Sequence, residues 1–164
     1  MTGMLTRYER LVAAGELRSD PDQRRAAERL DRLQKDLEAE SSGGLLSQLF
    51  RARKANPQGV YMWGGVGRGK SMLMDLFVET LGIDEKRRAH FHEFMLEVDR
   101  RIRERRESDP GDPTGKVARD IAQDVRCLAF DEMVVNNTAD AAIMARLFTA
   151  LVRDQGGTIV TTSN

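Results

Sequence analysis

One glycine-rich segment, set between an apolar run and a helix-forming run, constrains the fold of this chain more than any other feature. Residues 64–71 match the pattern GxxxxGK[ST]. The apolar run 60–63 before it predicts a buried strand, and residues 72–77 after it predict a helix. In such a turn the backbone N–H groups and the positive end of the helix dipole point at one place, which glycines leave open. The segment therefore predicts a phosphate-binding loop.

The pattern gives a chemical role to the residues of this loop. Lys70 would reach the β- and γ-phosphates of a nucleotide, and the Ser71 hydroxyl would hold Mg²⁺. A glycine-rich turn without a ligand is the alternative, and the flanking strand and helix count against it. The predicted nucleotide-binding residues are Gly64, Gly65, Val66, Gly67, Arg68, Gly69, Lys70, Ser71 and Met72.

A second acidic element lies downstream, where four apolar residues (127–130) precede Asp131 and Glu132. This is the pattern of a buried parallel strand that ends in two carboxylates. Ligands of doubly wound α/β sheets lie beyond the carboxyl ends of the strands, so both acids should emerge beside the phosphate loop. Asp131 is suited to the Mg²⁺ shell, because this hard cation prefers carboxylate oxygen. Glu132 is suited to orient and polarise an attacking water.

A third element closes the chain, since residues 158–164 are mostly β-branched and predict a strand. Asn164 stands at its carboxyl end, and its amide could hydrogen-bond the γ-phosphate or position the water. An ordinary asparagine in a strand-end turn is the alternative. The predicted catalytic residues are thus Lys70, Glu132 and Asn164.

Charge and composition narrow the class of protein. Lys plus Arg and Asp plus Glu number 26 each. The chain therefore lacks the overall basic charge that is typical of nucleic-acid-binding proteins. The single cysteine, Cys127, excludes a disulfide framework and is expected to be a small buried residue. No apolar run approaches the roughly 20 residues of a membrane span, and residues 1–17 lack the features of a secretory or transit peptide. We therefore expect a cytoplasmic location.

Strands that alternate with helices predict a parallel sheet with right-handed crossovers. We expect an N-terminal helical segment at 1–55 and an α/β core at 56–164. In the first segment, Asp20 and Pro21 predict the start of a helix, and its apolar stripe is Ala26, Leu30, Leu33 and Leu37. Helices are predicted within 4–40 and over 45–55, 69–81, 93–107, 116–124 and 139–153; strands are predicted over 59–63, 88–92, 127–131 and 158–164.

Two charged features in the middle of the chain could have a function. His90 and His92 are two residues apart and would share one face of the strand predicted there, but a structural or interface role is favoured over a metal site. Five arginines between residues 100 and 106 would suggest a nucleic-acid surface. Four acids are interspersed with them (Glu97, Asp99, Glu104 and Glu107), which predicts a salt-bridged, solvated helix face instead.

Together these segments resemble a known family. The sequences GVYMWGGVGRGKSMLM (Gly59–Met74), KRRAHFHEFM (Lys86–Met95) and FDEMVVNNTADAAIMARL (Phe130–Leu147), with the terminal TTSN, are similar to the AAA+ ATPase family of the bacterial cell-division protein ZapE and its mitochondrial AFG-type relatives. The resemblance implies ATP and Mg²⁺ as ligands of the residues above and the sensor 1 role for Asn164. It also implies a homo-oligomeric ring that acts on a protein partner, with the tubulin-like division-ring protein as the candidate. Phe94 and Met95 lie where many AAA+ rings carry a pore loop.

The chain departs from this family in two places. Met133 stands where a phenylalanine is usual, and residues 134–138 replace a Gln-Val-Thr-Asp-Ile-like stretch, so Asn137 lacks the acid of a possible subunit contact. The sequence also ends at the sensor strand, before the fifth strand, arginine finger and helical lid of AAA+ proteins. In the sheet order 5-1-4-3-2 this leaves the phosphate-loop strand as an edge. We therefore expect a fragment of a longer ATPase that hydrolyses ATP poorly, because an arginine finger contributes about 10³–10⁵ in rate.

Two functions from different classes remain open at this point. One is an ATPase whose hydrolysis cycle acts on a protein partner; the other is a nucleotide-gated binding module without turnover. Glu132 favours the ATPase, because a pure binder needs no water-positioning carboxylate, whereas the missing finger favours the binding module. A replication-loader function is disfavoured by the neutral charge balance.

Overall fold

The computed structural model describes residues 3–42, 59–64 and 69–163, and within these ranges four strands form one sheet. The strands are β1 (Val60–Trp63), β2 (Lys86–His90), β3 (Cys127–Asp131) and β4 (Thr158–Ser163). The helices are α1 (Met4–Ala13), α2 (Pro21–Ser41), α3 (Lys70–Thr80), α4 (Phe91–Ser108), α5 (Pro113–Asp124) and α6 (Thr138–Phe148), which runs into a π-helical turn (Thr149–Asp154). None of the described helices is long and apolar enough to cross a membrane.

All strand pairs are parallel, and their order is β1-β4-β3-β2. The predicted fold class, a parallel α/β sheet of the P-loop (AAA+) type, is confirmed, and among the described strands β1 lies at an edge as expected. The register pairs Met62 with Thr162 and His90 with Asp131. The carboxyl ends of all four strands therefore meet along one side of the sheet, where the predicted site residues emerge.

Helices cover both faces of the sheet. Helices α1, α2 and α3 share one apolar cluster with the first face, and α4, α5, α6 and the π-helical turn share another with the second. Strand β3 supplies both clusters, because Cys127 and Ala129 point to the first and Leu128 and Phe130 to the second. All of β3 is buried, as its apolar sequence predicts, and Cys127 is the buried residue expected.

The N-terminal residues, predicted to be helical within 4–40, form the two helices α1 and α2. Helix α2 begins as predicted, with Pro21 first and the Asp20 carboxylate accepting the N–H groups of residues 22 and 23. Its far end is held by an ion pair of 2.9 Å between Glu40 and Arg126, just before β3. The helix predicted over 45–55 lies outside the described residues. Helices α1 and α2 share an apolar cluster with α3 of the α/β core. The boundary between an N-terminal helical segment at 1–55 and a core at 56–164 stays a prediction.

Strand β2 ends two residues earlier than the sequence indicates, at His90, and α4 begins at Phe91. The buried residues Phe91, Phe94, Met95, Val98 and Ile102 follow helical spacing, so the helical period begins at Phe91 and overrides the short strand pattern. The prediction that His90 and His92 share a strand face is therefore wrong, because His92 lies on the helix.

The pore-loop prediction for Phe94 and Met95 is also wrong. Both side chains are buried in the second apolar cluster, and the Phe94 ring lies 4.7 Å from the Phe130 ring. They consequently belong to the core between α4 and the sheet.

Strand β1 was predicted to be buried, but only one of its faces is. Val60 and Met62 belong to the first apolar cluster, whereas Tyr61 and Trp63 are exposed by 54% and 78%. An edge strand can leave one face open, and a four-residue apolar run cannot distinguish this case from a fully buried strand. At the other end of the chain, the helix predicted over 139–153 changes to π-helical geometry after Phe148.

Candidate functional site

The described ends of the phosphate loop have the backbone conformation that the glycines predict. Gly64 has φ +146° and Gly69, directly before α3, has φ +75°, values that side chains with a Cβ rarely adopt. The Lys70 ammonium donates to the Gly64 carbonyl and so joins the two ends. The predicted loop residues Gly65, Val66, Gly67 and Arg68 lie outside the described residues.

The start of α2 touches the loop at Gly69. A Cβ atom at this glycine would lie 2.7 Å from the Gln23 amide nitrogen, so the two groups are in close contact. Met72, also predicted in the site, is half-buried in the first turn of α3, and its side chain lies beside Gly69. Helix α2 is therefore in direct contact with the phosphate loop at Gly69.

Ser71 and Asp131 meet as predicted, although 60 residues separate them. The Ser71 hydroxyl donates to Oδ1 of Asp131 at 3.0 Å, and the Thr162 hydroxyl donates to the same oxygen at 2.9 Å. Ser71 lies in the first turn of α3, Asp131 ends β3, and Thr162 lies near the end of β4. Three elements of the fold thus converge on one carboxylate.

The second oxygen of Asp131 belongs to an ion pair. Arg88 of β2 donates through Nη2 to Asp131 Oδ2 at 3.0 Å and through Nε to Asp75 Oδ1 of α3 at 2.8 Å. Burial lowers the pKa of Arg88, but the hydrogen bonds and charges of both carboxylates outweigh it and the pKa is raised overall. Arg88 is therefore a fixed cation between α3 and β3.

Asp131 is an ionised carboxylate in this environment. Burial raises its pKa, and hydrogen bonds from Arg88, Thr162 and Ser71 lower it further than burial raises it, so that the pKa lies below its ordinary value. An ionised carboxylate that already faces a serine hydroxyl is suited to bind a cation.

The Ser71–Asp131 pair fits Mg²⁺ in both chemistry and spacing. Mg²⁺ prefers oxygen ligands in octahedral geometry, in which neighbouring ligands lie about 3 Å apart. The 3.0 Å between Ser71 Oγ and Asp131 Oδ1 matches this spacing. These two residues, the predicted metal ligands, would hold the ion. Among the described residues no group of three or more His, Cys, Asp or Glu side chains is placed to hold a metal ion.

Glu132 has a strained backbone that Thr162 holds in place. Its φ of +54° is uncommon for a residue other than glycine, asparagine or aspartate. The Glu132 N–H donates to Thr162 Oγ1 at 3.1 Å, and the next N–H, of Met133, donates to the Thr162 carbonyl at 2.8 Å. Strain of this kind is concentrated at functional sites. The Glu132 side chain is exposed, and Asn164 lies outside the described residues.

Four residues of this site were not identified from the sequence: Gln23, Asp75, Arg88 and Thr162. Arg88 carried the clearest signal, because an arginine within a short strand needs a partner when a helix covers that face of the sheet. Thr162 belongs to a run of polar β-branched residues whose contacts cannot be inferred without the neighbouring strand. Asn137 has a local role, because its side chain accepts the N–H of Asp140 at 2.8 Å and caps α6.

Three of the five arginines between residues 100 and 106 form ion pairs, as the mixed charges predict. Arg100 pairs with Glu104 at 2.7 Å, Arg101 pairs with Glu97 at 2.8 Å, and Arg105 pairs with Asp120 of α5. Glu97 also binds Arg87 of β2. This helix therefore presents a surface of paired charges.

The strand order, the GxxxxGK[ST] loop after β1 and the acidic pair after β3 define the nucleotide-binding α/β fold of P-loop ATPases. The chain belongs to the AFG1-like ATPase family, whose model matches residues 2–164. The predicted family is thereby confirmed.

Individual relatives agree with this assignment. The chain is 34% identical to the cell division protein ZapE of Escherichia coli over 97% of its own length and 45% of that protein. It is 33% identical to lactation elevated protein 1 homolog B of Danio rerio over 98% of its length and 42% of that protein. The chain thus spans less than half the length of these relatives. Domain III of the Thermotoga maritima replication initiation protein DnaA aligns with 80% of this chain and 50% of its own, at 18% identity and a TM-score of 0.46, a likeness too weak to support an argument.

Proposed function

We propose that this chain binds ATP with Mg²⁺ and contributes the nucleotide site of an ATPase that acts on a protein partner. The observation that carries the proposal is the hydrogen bond between Ser71 Oγ and Asp131 Oδ1, which joins the phosphate-loop helix to the acidic strand end at 3.0 Å. Bound Mg²⁺ would offset the negative charge of the phosphates during their transfer.

The residues of the chain divide the remaining work between them. The glycines of the loop would place backbone N–H groups against the phosphates, and the Lys70 ammonium, now on the Gly64 carbonyl, would turn to the β- and γ-phosphates. Glu132 would accept a hydrogen bond from the attacking water and orient it, and Asn164 would contact the γ-phosphate or that water. The strained turn at Glu132, held by Thr162, supports this division, because it fixes the point at which the Glu132 side chain leaves the backbone beside Asp131.

The protein partner and the cellular role are inferred from the family. One relative is named a cell division protein, which supports a division-related partner. The tubulin-like ring protein as that partner, a cytoplasmic location and a homo-oligomeric ring of the longer protein stay predictions from the sequence. The equal numbers of basic and acidic residues and the paired charges of α4 support a protein partner over nucleic acid.

Calorimetric titration with Mg²⁺-ATP tests the nucleotide site. Wild-type chain should bind in the micromolar range, and Lys70→Ala should abolish this binding because the phosphate charge loses its main cation. Lys116→Ala is the matched control, since Lys116 lies on α5 and pairs with Asp109, and its loss should leave binding unchanged. Equal binding by Lys70→Ala and wild type would refute the proposed site.

Turnover separates the ATPase from a binding module. Glu132→Gln keeps the size of the side chain but cannot accept a proton, so it should bind Mg²⁺-ATP like wild type and lose phosphate release. If wild type binds ATP but releases no more phosphate than Glu132→Gln, the chain functions as a nucleotide-binding module.

A further inference from the structure

Arg88 links the two halves of the candidate magnesium site. Its register partner in β3 is Ala129, which points to α3, and the Arg88 guanidinium reaches Asp75 of α3 at 2.8 Å and Asp131 of β3 at 3.0 Å. Arg87 differs from it in direction, because it binds Glu97 of α4 on the other face and its guanidinium carbon lies 5.2 Å from the Phe94 ring centre. Adjacent arginines therefore serve opposite faces of the sheet.

The two oxygens of Asp131 have separate partners. Oδ1 accepts the Ser71 and Thr162 hydroxyls, whereas Oδ2 accepts only from Arg88 among the described residues. A planar guanidinium bound to one oxygen opposes rotation of the carboxylate. Arg88 thereby keeps Oδ1 directed at Ser71, where the cation would lie.

The second contact of Arg88 fixes the distance between α3 and β3. Asp75 follows Ser71 by four residues, so it lies one turn below Ser71 on the same side of α3. An arginine that holds both Asp75 and Asp131 therefore ties the helix to the strand directly beneath the Ser71–Asp131 pair. The separation of the two candidate magnesium ligands depends on this tie.

The arrangement is poorly suited to a purely stabilising role. Nη1 of Arg88 is buried and has no hydrogen-bond partner among the described residues, and an unpaired buried donor is costly. Buried ion pairs are often no more stabilising than apolar residues of the same size. Retaining an incompletely paired guanidinium here favours a role in orientation.

We propose that Arg88 is a positioning residue that sets the Mg²⁺ affinity of the Ser71–Asp131 site. The inference rests on the proposed function, since it presumes that this pair binds the metal of a nucleotide complex. Residues that hold metal ligands from behind typically change metal affinity by about 10–100-fold when they are replaced.

The test measures binding of a fluorescent ATP analogue as Mg²⁺ is titrated, and again in EDTA. Arg88→Gln should raise the half-saturating Mg²⁺ concentration by about tenfold or more, while binding of the analogue in EDTA stays within about twofold of wild type. Arg88→Lys, which can hold one carboxylate but not both, should lie between the two. Arg87→Gln is the matched control and should follow the wild-type Mg²⁺ curve.

Each outcome decides the inference. A Mg²⁺ requirement of Arg88→Gln equal to that of Arg87→Gln overturns it, as does an equal loss of binding with and without Mg²⁺. If circular dichroism shows Arg88→Gln to be unfolded, Asp75→Asn is measured in its place. This variant should raise the half-saturating Mg²⁺ concentration severalfold, and an unchanged value refutes the role of the Arg88–Asp75 contact. Wild-type protein that binds no analogue under any condition refutes the proposed function as well, whereas Mg²⁺-dependent wild-type binding with an unchanged Arg88→Gln refutes only the role of Arg88.

Discussion

Replacing Phe130 by alanine tests the core that supports the site from the second face of the sheet. Phe130 directly precedes Asp131 in β3 and is fully buried. Its ring makes edge-type contacts with Phe91 at 5.8 Å and Phe94 at 4.7 Å, and it stacks on Phe148 at 6.4 Å. A change here should therefore affect the position of α4 against the strand that carries Asp131.

The expected loss follows from the cavity and the ring contacts. Phenylalanine-to-alanine changes in cores cost about 3–5 kcal/mol, and each well-placed aromatic pair contributes about 0.5–1.5 kcal/mol beyond its buried area. Because Phe130 has two edge-type partners, we expect a loss in the upper part of that range, about 4–5 kcal/mol. Phe130→Leu keeps most of the apolar volume and should lose about 1–2 kcal/mol, mainly from the ring pairs.

Urea unfolding followed by circular dichroism measures both variants. With a slope of about 2 kcal/mol per M, the midpoint of Phe130→Ala should fall by about 2 M and that of Phe130→Leu by less than about 1 M. An unchanged slope is required for the two-state comparison. A loss below about 2 kcal/mol for Phe130→Ala, or equal losses for both variants, would refute the assignment of Phe130 to the centre of this cluster.

Three further predictions concern single side chains. Thr162→Val removes the hydroxyl that donates to Asp131 and accepts the Glu132 N–H, so the free energy of unfolding should fall by about 2–3 kcal/mol in urea melts. Thr161→Val, on the opposite face of β4, is the control and should cost less than about 1 kcal/mol. Hydrogen bonding from Arg87 lowers the pKa of Glu97 below its ordinary 4.5. The stability that Glu97 contributes is therefore present above that pH and is lost as pH falls through the lowered pKa. The difference in unfolding free energy between wild type and Glu97→Gln should shrink between pH 7 and pH 3.5, and a constant difference would contradict the ion pair. Burial raises the pKa of Cys127 to about 12, so Ellman's reagent should label it only after urea unfolding, and labelling of the native protein at the rate of a free thiol would contradict its buried position.

The parts of the fold that were predictable depend on local patterns. The phosphate loop, the acidic end of β3 and the cap of α2 at Asp20 and Pro21 each occupy a few consecutive residues whose chemistry needs no distant partner. Parallel sheet geometry then predicts that Ser71 and Asp131 meet, as they do at 3.0 Å.

The remaining features depend on residues that are far apart in the sequence. Arg88 and Thr162 acquire their roles only when β2, β3 and β4 are adjacent. Strand β2 was extended too far because Phe91 continues an apolar pattern that also begins the period of α4. The exposure of one face of β1 could not be predicted, because a short apolar run does not show whether other elements cover both faces of the strand.

Helix α2 connects the two ends of the sheet. Its first turn contacts Gly69 through Gln23, on the side where the strands end, and Glu40 in its last turn binds Arg126, on the side where β3 begins. These anchor residues are separated by about 26 Å of regular helix. Any displacement of the phosphate loop at Gly69 must therefore either separate the loop from Gln23 or move a stiff rod whose other end is tied to the start of β3. A nucleotide bound at the phosphate loop would then affect the position of the start of β3, at the opposite edge of the sheet. Helix α2 alone would transmit this effect, although its far end does not contact the nucleotide.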